Sequence, residues 1–202
     1  MDTKQRILHS AEKLFFLQGI ANVRLQQIAD ETGISVGNLA YHYKNKESIV
    51  MAVYDKMFDE FSAILSLYLQ SPDLGDFDRL FTACHGFFTS HAYYLNNIWE
   101  VNRSYDEIKG RWEHINLKMI AQLKKRLEFN ISRGTMMTPP LNQSLDDLAQ
   151  NLWLSITFWI PQQMLLGRRS GLNHYRKALW SQLIPFLTRQ GEKEFSTIIQ
   201  IG

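Results

Sequence analysis

Apolar residues recur three and four positions apart along almost the whole chain, and no stretch alternates with polar residues long enough to make a half-buried strand. The pattern predicts an all-α protein. Ile7, Leu8, Ala11, Leu14 and Phe15 form the stripe of a first helix. Asp2, with Gln5 three positions on, suits its N-cap, and Gly19 is placed to end it in a left-handed conformation. Leu25, Ile28 and Ala29 predict a short second helix that stops at Gly33. Gly33-Ile34-Ser35 then makes a turn, and Val36 to Tyr43 a third helix of about two turns. Asn45 suits the N-cap of a long fourth helix that buries Ile49, Val50, Val53, Met57, Phe61, Ile64 and Leu65 and ends at Ser71-Pro72.

Further helices are predicted near Asp76 to His91, Tyr94 to Tyr105, Ile108 to Arg133, Ser144 to Leu166 and Asn173 to Thr188, for about nine in all. Pro139-Pro140 cannot sit inside a helix, which makes Gly134 to Gln143 the longest loop. Pro161 and Pro185 bend or end the helices that hold them. No internal repeat and no low-complexity segment interrupts the series.

With 202 residues, 45% of them hydrophobic, the chain can build a small head on a larger body, divided here at 1–46 and 47–202. Its one cysteine, Cys84, can form no internal bridge, and the polar start from Met1 to Arg6 lacks the apolar run of a signal peptide, so a cytoplasmic setting is expected. Leu152 to Leu166 is broken by Pro161, Gln162 and Gln163 and is shorter than the ~18 residues of a membrane span. A net charge of +2 offers no bulk argument for nucleic acid; the first fifty residues carry six Lys or Arg against five Asp or Glu, so any DNA footprint must be local.

The local candidate is the second and third helices with the glycine turn between them. A helix-turn-helix needs one helix to brace across the DNA backbone and another to lie in the major groove, where base edges are distinguishable. Leu39 and Tyr43, four apart, can face inward, leaving Val36, Asn38, Ala40 and Tyr41 outward with small or polar tips. By spacing alone this is equally a tight helical corner with no DNA to read.

The residues from Ile28 to Ile49, IADETGISVGNLAYHYKNKESI, resemble the signature of tetracycline-repressor-like (TetR/AcrR) regulators, and the resemblance covers about Thr3 to Met57. It implies a homodimer that binds a palindromic operator and, often, releases it when a small molecule occupies the C-terminal domain. It also implies that Ser35, Tyr41, His42 and Lys46 contact phosphates or the groove, and that Gln26, Val36, Gly37, Asn38 and Tyr41 lie near base edges; Lys44 joins the same set. Lys46 has a reason of its own, because a helix N-terminus attracts phosphate. Three positions depart from the family pattern: Ala40 where an aromatic is common, Arg24 near the usual Ser or Thr cap, and Thr32 for the Ala before the turn glycine. Ala40 puts one DNA contact in doubt, while Arg24 can instead reach a phosphate.

The remainder is rich in large aromatics, which fill a helical core, an interface or the walls of a cavity. Phe81, His85, Phe88, Trp99, Asn102, Arg103, Trp112 and Phe158 are the candidates for a pocket holding an unidentified small-molecule effector. A surface ion pair of Arg103 with Glu100 or Glu107 competes with that role. Leu148, Leu152 and Trp159 on one helix, and Leu179, Leu183 and Phe186 on the next, are the candidates for a two-fold interface between copies of the chain. Two recognition helices would then stand one DNA turn apart, roughly 34 Å, or a multiple of it, over an inverted repeat.

No enzyme, cofactor or metal is expected. Cys84 and His85 are adjacent, which on a helix turns their side chains apart, and no two of the six histidines stand three or four apart. A regulator with a fully packed core, answering to no small molecule or to a protein partner, is the remaining alternative.

Overall fold

The computed structural model describes residues 2–66, 72–140, 144–168 and 171–200. Its helices run α1 (Thr3–Gln18), α2 (Leu25–Thr32), α3 (Val36–His42), α4 (Lys46–Ser66), α5 (Leu74–Ser90), α6 (Ala92–Ser104), α7 (Asp106–Ser132), α8 (Leu145–Leu165), α9 (Leu172–Leu183) and α10 (Arg189–Gln200). A 3-10 turn, Ile184–Phe186, follows α9. Among the described residues there is no strand, and the all-α expectation holds.

The helix ends follow the local chemistry of the sequence. Asp2 accepts from the Gln5 backbone N–H at 2.7 Å while the Gln5 side chain returns to the Asp2 N–H, satisfying two donors that the first turn leaves open. Gly19 ends α1 with φ 78° and ψ 151°, a positive φ but with extended ψ, so it is not the left-handed helical conformation expected there. Gly33 does adopt that conformation (φ 74°, ψ 38°). The Gly33 and Ile34 N–H groups cap the Asp30 and Ala29 carbonyls, which makes the tight turn between α2 and α3. Asn45 accepts from the Ser48 N–H at 2.9 Å and starts α4. The expected stop of α4 at Ser71-Pro72 falls partly outside the described residues, since Ser71 is among those not described.

Contacts divide the chain into two compact units that do not follow chain order. One comprises residues 1–62 and 91–113, the other 63–90 and 114–202. In the first, Ile7, Ala11 and Phe15 of α1, Ile28 and Ala29 of α2, Leu39 of α3 and Ile49, Val50, Val53 and Tyr54 of α4 are all buried. Burial at about 25 cal/mol per Å2 is what holds such short helices, since α2 and α3 are too short to persist alone. An aromatic group of Phe58, Phe61, Tyr94 and Trp112 completes the unit, with the Tyr94 and Trp112 rings stacked at 4.3 Å.

In the second unit, Phe77, Phe81, Cys84 and Phe88 of α5 pack in a core with Leu123 and Leu127 of α7, Leu148, Leu152 and Ile156 of α8 and Tyr175, Leu179 and Leu183 of α9. Pro185 ends α9 before Thr188, earlier than the apolar pattern suggested, and the chain turns through Leu187, which pairs with Met136. α10 lies beyond the nine helices expected. Phe195 holds it against Trp180, ring centres 4.6 Å apart, and Glu194 ties it to Arg133 at 2.8 Å.

Candidate nucleic-acid interface

α3 is seven residues long and is braced from behind. Leu39 is fully buried and Tyr43 nearly so, while Tyr41 is 87% exposed and Gly37, Asn38 and Ala40 are exposed beside it. The faces thus fall where the spacing placed them, except that Val36, expected outward, is half-buried. Ser35 caps the helix by accepting from the Asn38 N–H at 3.1 Å. A serine hydroxyl that accepts this bond still has a hydrogen to donate. Tyr41 and His42 meet edge to face at 5.3 Å.

α2 is tied to α1 rather than to α3 alone. The Arg6 guanidinium donates to the Thr32 carbonyl at 2.5 Å, and the Thr32 hydroxyl bonds back to Ile28 at 2.6 Å. Thr32, a departure from the family pattern, is therefore a buried, satisfied residue at the end of α2. Gln26 is exposed and its amide rests on Asp30 at 2.7 Å. Arg24 and Lys44 are exposed at opposite ends of the helix pair; only the Arg24 backbone N–H, not its guanidinium, takes part in the cap, through the Gln27 side chain. Arg24, Gln26, Ser35, Gly37, Asn38, Tyr41 and Lys44 are thus accessible, with Val36 and His42 half-buried.

Lys46 is the exception in that group. Its ammonium donates to the carbonyls of Ile20 (2.6 Å), Ala21 (3.2 Å) and Val23 (2.9 Å), so all three N–H groups are directed at the chain's own backbone. The same corner is held from its other side by Asn97 of α6, buried at 4% exposure, whose Oδ1 accepts from the Ile20 N–H at 2.9 Å. Sequence reasoning passed over Asn97, because an asparagine on an amphipathic helix carries no sign of what it will touch.

The pocket candidates fall four to each unit. In the first, Trp112 is buried with its indole N–H unmatched by any described acceptor, and Asn102 is half-buried. Trp99 is 75% exposed and Arg103 exposed; Arg103 donates to the Trp99 carbonyl at 3.2 Å rather than to Glu100 or Glu107. In the second, Phe81 and Phe88 are buried on the face of α5 that also carries His85, whose Nε2 is buried and has no hydrogen-bond partner among the described residues. The His85 ring meets Tyr175 edge-on at 5.2 Å. Phe158 is 39% exposed.

The interface candidates divide by burial. Leu148, Leu152, Leu179 and Leu183 are at most 3% exposed and are used up inside their own unit, whereas Trp159 and Phe186 are half-buried. The exposed apolar stripe of α8 is a different one, Leu154, Phe158 and Leu165, with Ile184 exposed beyond the end of α9. Those residues had not been singled out as interface.

Cys84 is fully buried, and burial pushes its thiol up to about 12. Among the described residues no group of three His, Cys, Asp or Glu is arranged to hold a metal ion. No helix among them is long and apolar enough to cross a membrane.

Comparison with known proteins agrees with the geometry. The family model described as "Bacterial regulatory proteins, tetR family" matches residues 7–53, and that described as "Bacterial transcriptional repressor" matches residues 56–195. The chain is 31% identical over 58 residues to the HTH-type transcriptional regulator TtgR of Pseudomonas putida, a stretch that is 29% of this chain and 28% of the relative. It is 37% identical over 60 residues to an HTH-type transcriptional regulator of Staphylococcus aureus, 30% of this chain and 32% of that one. The match thus spans less than a third of the length of either relative. Among solved structures, a TetR-family regulator from Marinobacter aquaeolei superposes with a TM-score of 0.83 at 20% identity, covering 99% of this chain and 98% of that one. A TetR regulator from Haloarcula marismortui superposes with a TM-score of 0.70 at 16% identity, covering 93% and 99%.

Proposed function

The chain belongs to the tetR family of bacterial regulatory proteins, with a DNA-binding helix-turn-helix, and from that premise we propose that it is a homodimeric, cytoplasmic repressor released from an inverted-repeat operator by a small-molecule effector. The observation that carries the reading is Tyr41. At 87% exposure on a two-turn helix its ring touches only His42 among the described rings, and its hydroxyl and the rest of its ring suit a groove or a phosphate. The DNA-reading set is Arg24, Gln26, Ser35, Val36, Gly37, Asn38, Tyr41, His42 and Lys44, within a head that ends near residue 46.

The second copy docks on the stripe Leu154, Phe158 and Leu165 with Ile184, since these are among the apolar side chains that α8 and the end of α9 leave uncovered. An effector is supported by His85. A buried ring nitrogen with no partner among the described residues, between Phe81 and Phe88 on one face of α5, suits an apolar molecule carrying one polar group. Such a ligand would favour one position of α4, whose residues fall in both compact units, and so change the spacing of the two heads.

The test is selection from a random duplex pool by the full chain at two salt concentrations. An enriched inverted repeat is expected, with affinity falling roughly 10- to 100-fold in Tyr41→Ala, the loss of one good groove contact. Sequence-blind binding with only a steep salt slope sinks the reading.

A further inference from the structure

We propose that Lys46 and Asn97 are positioning residues for DNA reading: Lys46 clips together the two ends of the helix-turn-helix segment and touches no phosphate, and Asn97 seats that clip on α6. The inference rests on the operator-binding reading above.

The whole helix pair, Leu25 to His42, lies in a stretch of chain bounded by Val23 and Lys46, and these two bounds are joined by the Lys46 ammonium on the Val23 carbonyl at 2.9 Å. The same ammonium takes the Ile20 and Ala21 carbonyls, so an N–H directed at DNA would have to leave one of three bonds between 2.6 and 3.2 Å. Lysine has three N–H donors and no more. Val23 is buried, and its carbonyl would otherwise need another donor, while the Ile20 carbonyl shares the Lys46 ammonium with the Val23 N–H at 3.3 Å. The cation at the first residue of α4 therefore serves the backbone of the corner before α2.

Asn97 completes the grip. Its Oδ1 accepts from the Ile20 N–H (2.9 Å), and its amide nitrogen donates to the Phe15 (3.2 Å) and Tyr93 (2.6 Å) carbonyls. The orientation of the amide follows from the network, because the opposite one would set N–H against N–H and oxygen against two carbonyls. The peptide groups on both sides of Ile20 are thus divided between two helices outside the head's helix pair, its N–H to α6 and its C=O to α4. A change in either bond tilts the base of α2 while leaving the outward side chains of α3 intact.

Salt separates this role from a phosphate contact. Each phosphate neutralised contributes about 0.9 to the slope of log K against log salt, so losing one contact flattens the slope by about one. The experiment measures binding of the full chain to the inverted repeat it selects and to a scrambled duplex of equal length, across a salt series. Wild type, Lys46→Met, Lys46→Arg, Asn97→Ala and, as the exposed comparison, Lys44→Ala are compared, with the active fraction fixed by stoichiometric titration.

For Lys46→Met and Asn97→Ala we expect the ratio of selected to scrambled affinity to fall at least about tenfold with the slope unchanged. Lys46→Arg, which keeps several N–H donors, restores most of the ratio. Lys44→Ala flattens the slope. A merely structural role would lower the melting temperature and the active fraction but leave the ratio of the folded protein untouched, and that result overturns the proposal. So does a Lys46→Met slope flatter by about one. If Lys46→Met does not fold, Asn97→Ala and Lys46→Arg decide on the same two readouts. A wild type with no preference for any duplex sinks the operator reading itself; a selective wild type with equally selective variants sinks only this inference.

Discussion

Arg126 Nε donates to Asp76 Oδ2 at 2.6 Å with both side chains shut off from water, at 0% and 2% exposure. The pair joins α7 to α5 inside the second unit, and the other Asp76 oxygen faces Arg79 at 3.6 Å. Both charges are out of water, so removing the Asp76 carboxylate takes from the Arg126 guanidinium a charged partner at 2.6 Å that water is not placed to replace. Asp76→Ala is expected to cost about 3 to 5 kcal/mol, whereas the apolar double change Asp76→Leu with Arg126→Met recovers most of it. Urea unfolding of the three proteins checks this; a single variant within about 0.5 kcal/mol of wild type would show that the charge escapes to solvent.

Cys84 makes the folding of this unit measurable. It is the chain's one cysteine, and with its thiol pushed up to about 12 by burial it stays protonated at pH 8 while folded. Native protein is expected to resist an aromatic disulfide reagent except as fast as the unit opens, while protein in guanidinium takes up one equivalent at once. Immediate stoichiometric labelling of the native protein would contradict the burial of α5 in its core.

What the sequence displayed and what it concealed differ by the range of the interaction. Asp2, Gly33 and Asn45 act on backbone a few residues away, so the three-helix head was legible from residue type and spacing. The apolar stripes told which faces are buried but not against what. Leu148, Leu152, Leu179 and Leu183 read as an interface and are instead the core, leaving Leu154 and Phe158 outside. Trp99 read as a cavity wall and is exposed. α10 was invisible because its place depends on Phe195 meeting Trp180 and Glu194 meeting Arg133, partners far off in sequence. Lys46 shows the same limit at the site itself. A cation at a helix start suggests phosphate, and nothing in the residue order reveals the three carbonyls that occupy it.

The start of α8 carries a pH dependence of its own. Ser144 donates its hydroxyl (2.7 Å) and its backbone N–H (3.3 Å) to Asp147, and these bonds hold the Asp147 carboxyl below its usual 3.8. A carboxyl lowered on folding contributes stability that is full above its unfolded value and fades as pH falls through its folded one. The difference in melting temperature between wild type and Asp147→Asn is therefore expected in full well above the usual carboxyl value of 3.8 and should shrink steadily as pH falls below it. A difference that persists in acid would assign the effect to shape rather than charge.

The uncovered stripe of α8 predicts which substitutions separate assembly from folding. Leu154 is 57% and Phe158 39% exposed, so a charge at either can remain hydrated in the isolated chain and should change its stability little. Opposite the same helix of a second copy, two charges brought face to face near a two-fold axis would be buried unpaired. Leu154→Glu with Phe158→Glu is expected to give a folded monomer by sedimentation, with operator affinity reduced by at least about tenfold because one head must then hold a half-site alone. Leu152→Glu at a fully buried position should instead unfold the unit. A double variant that still sediments as wild-type dimer would place the two-fold axis on another face.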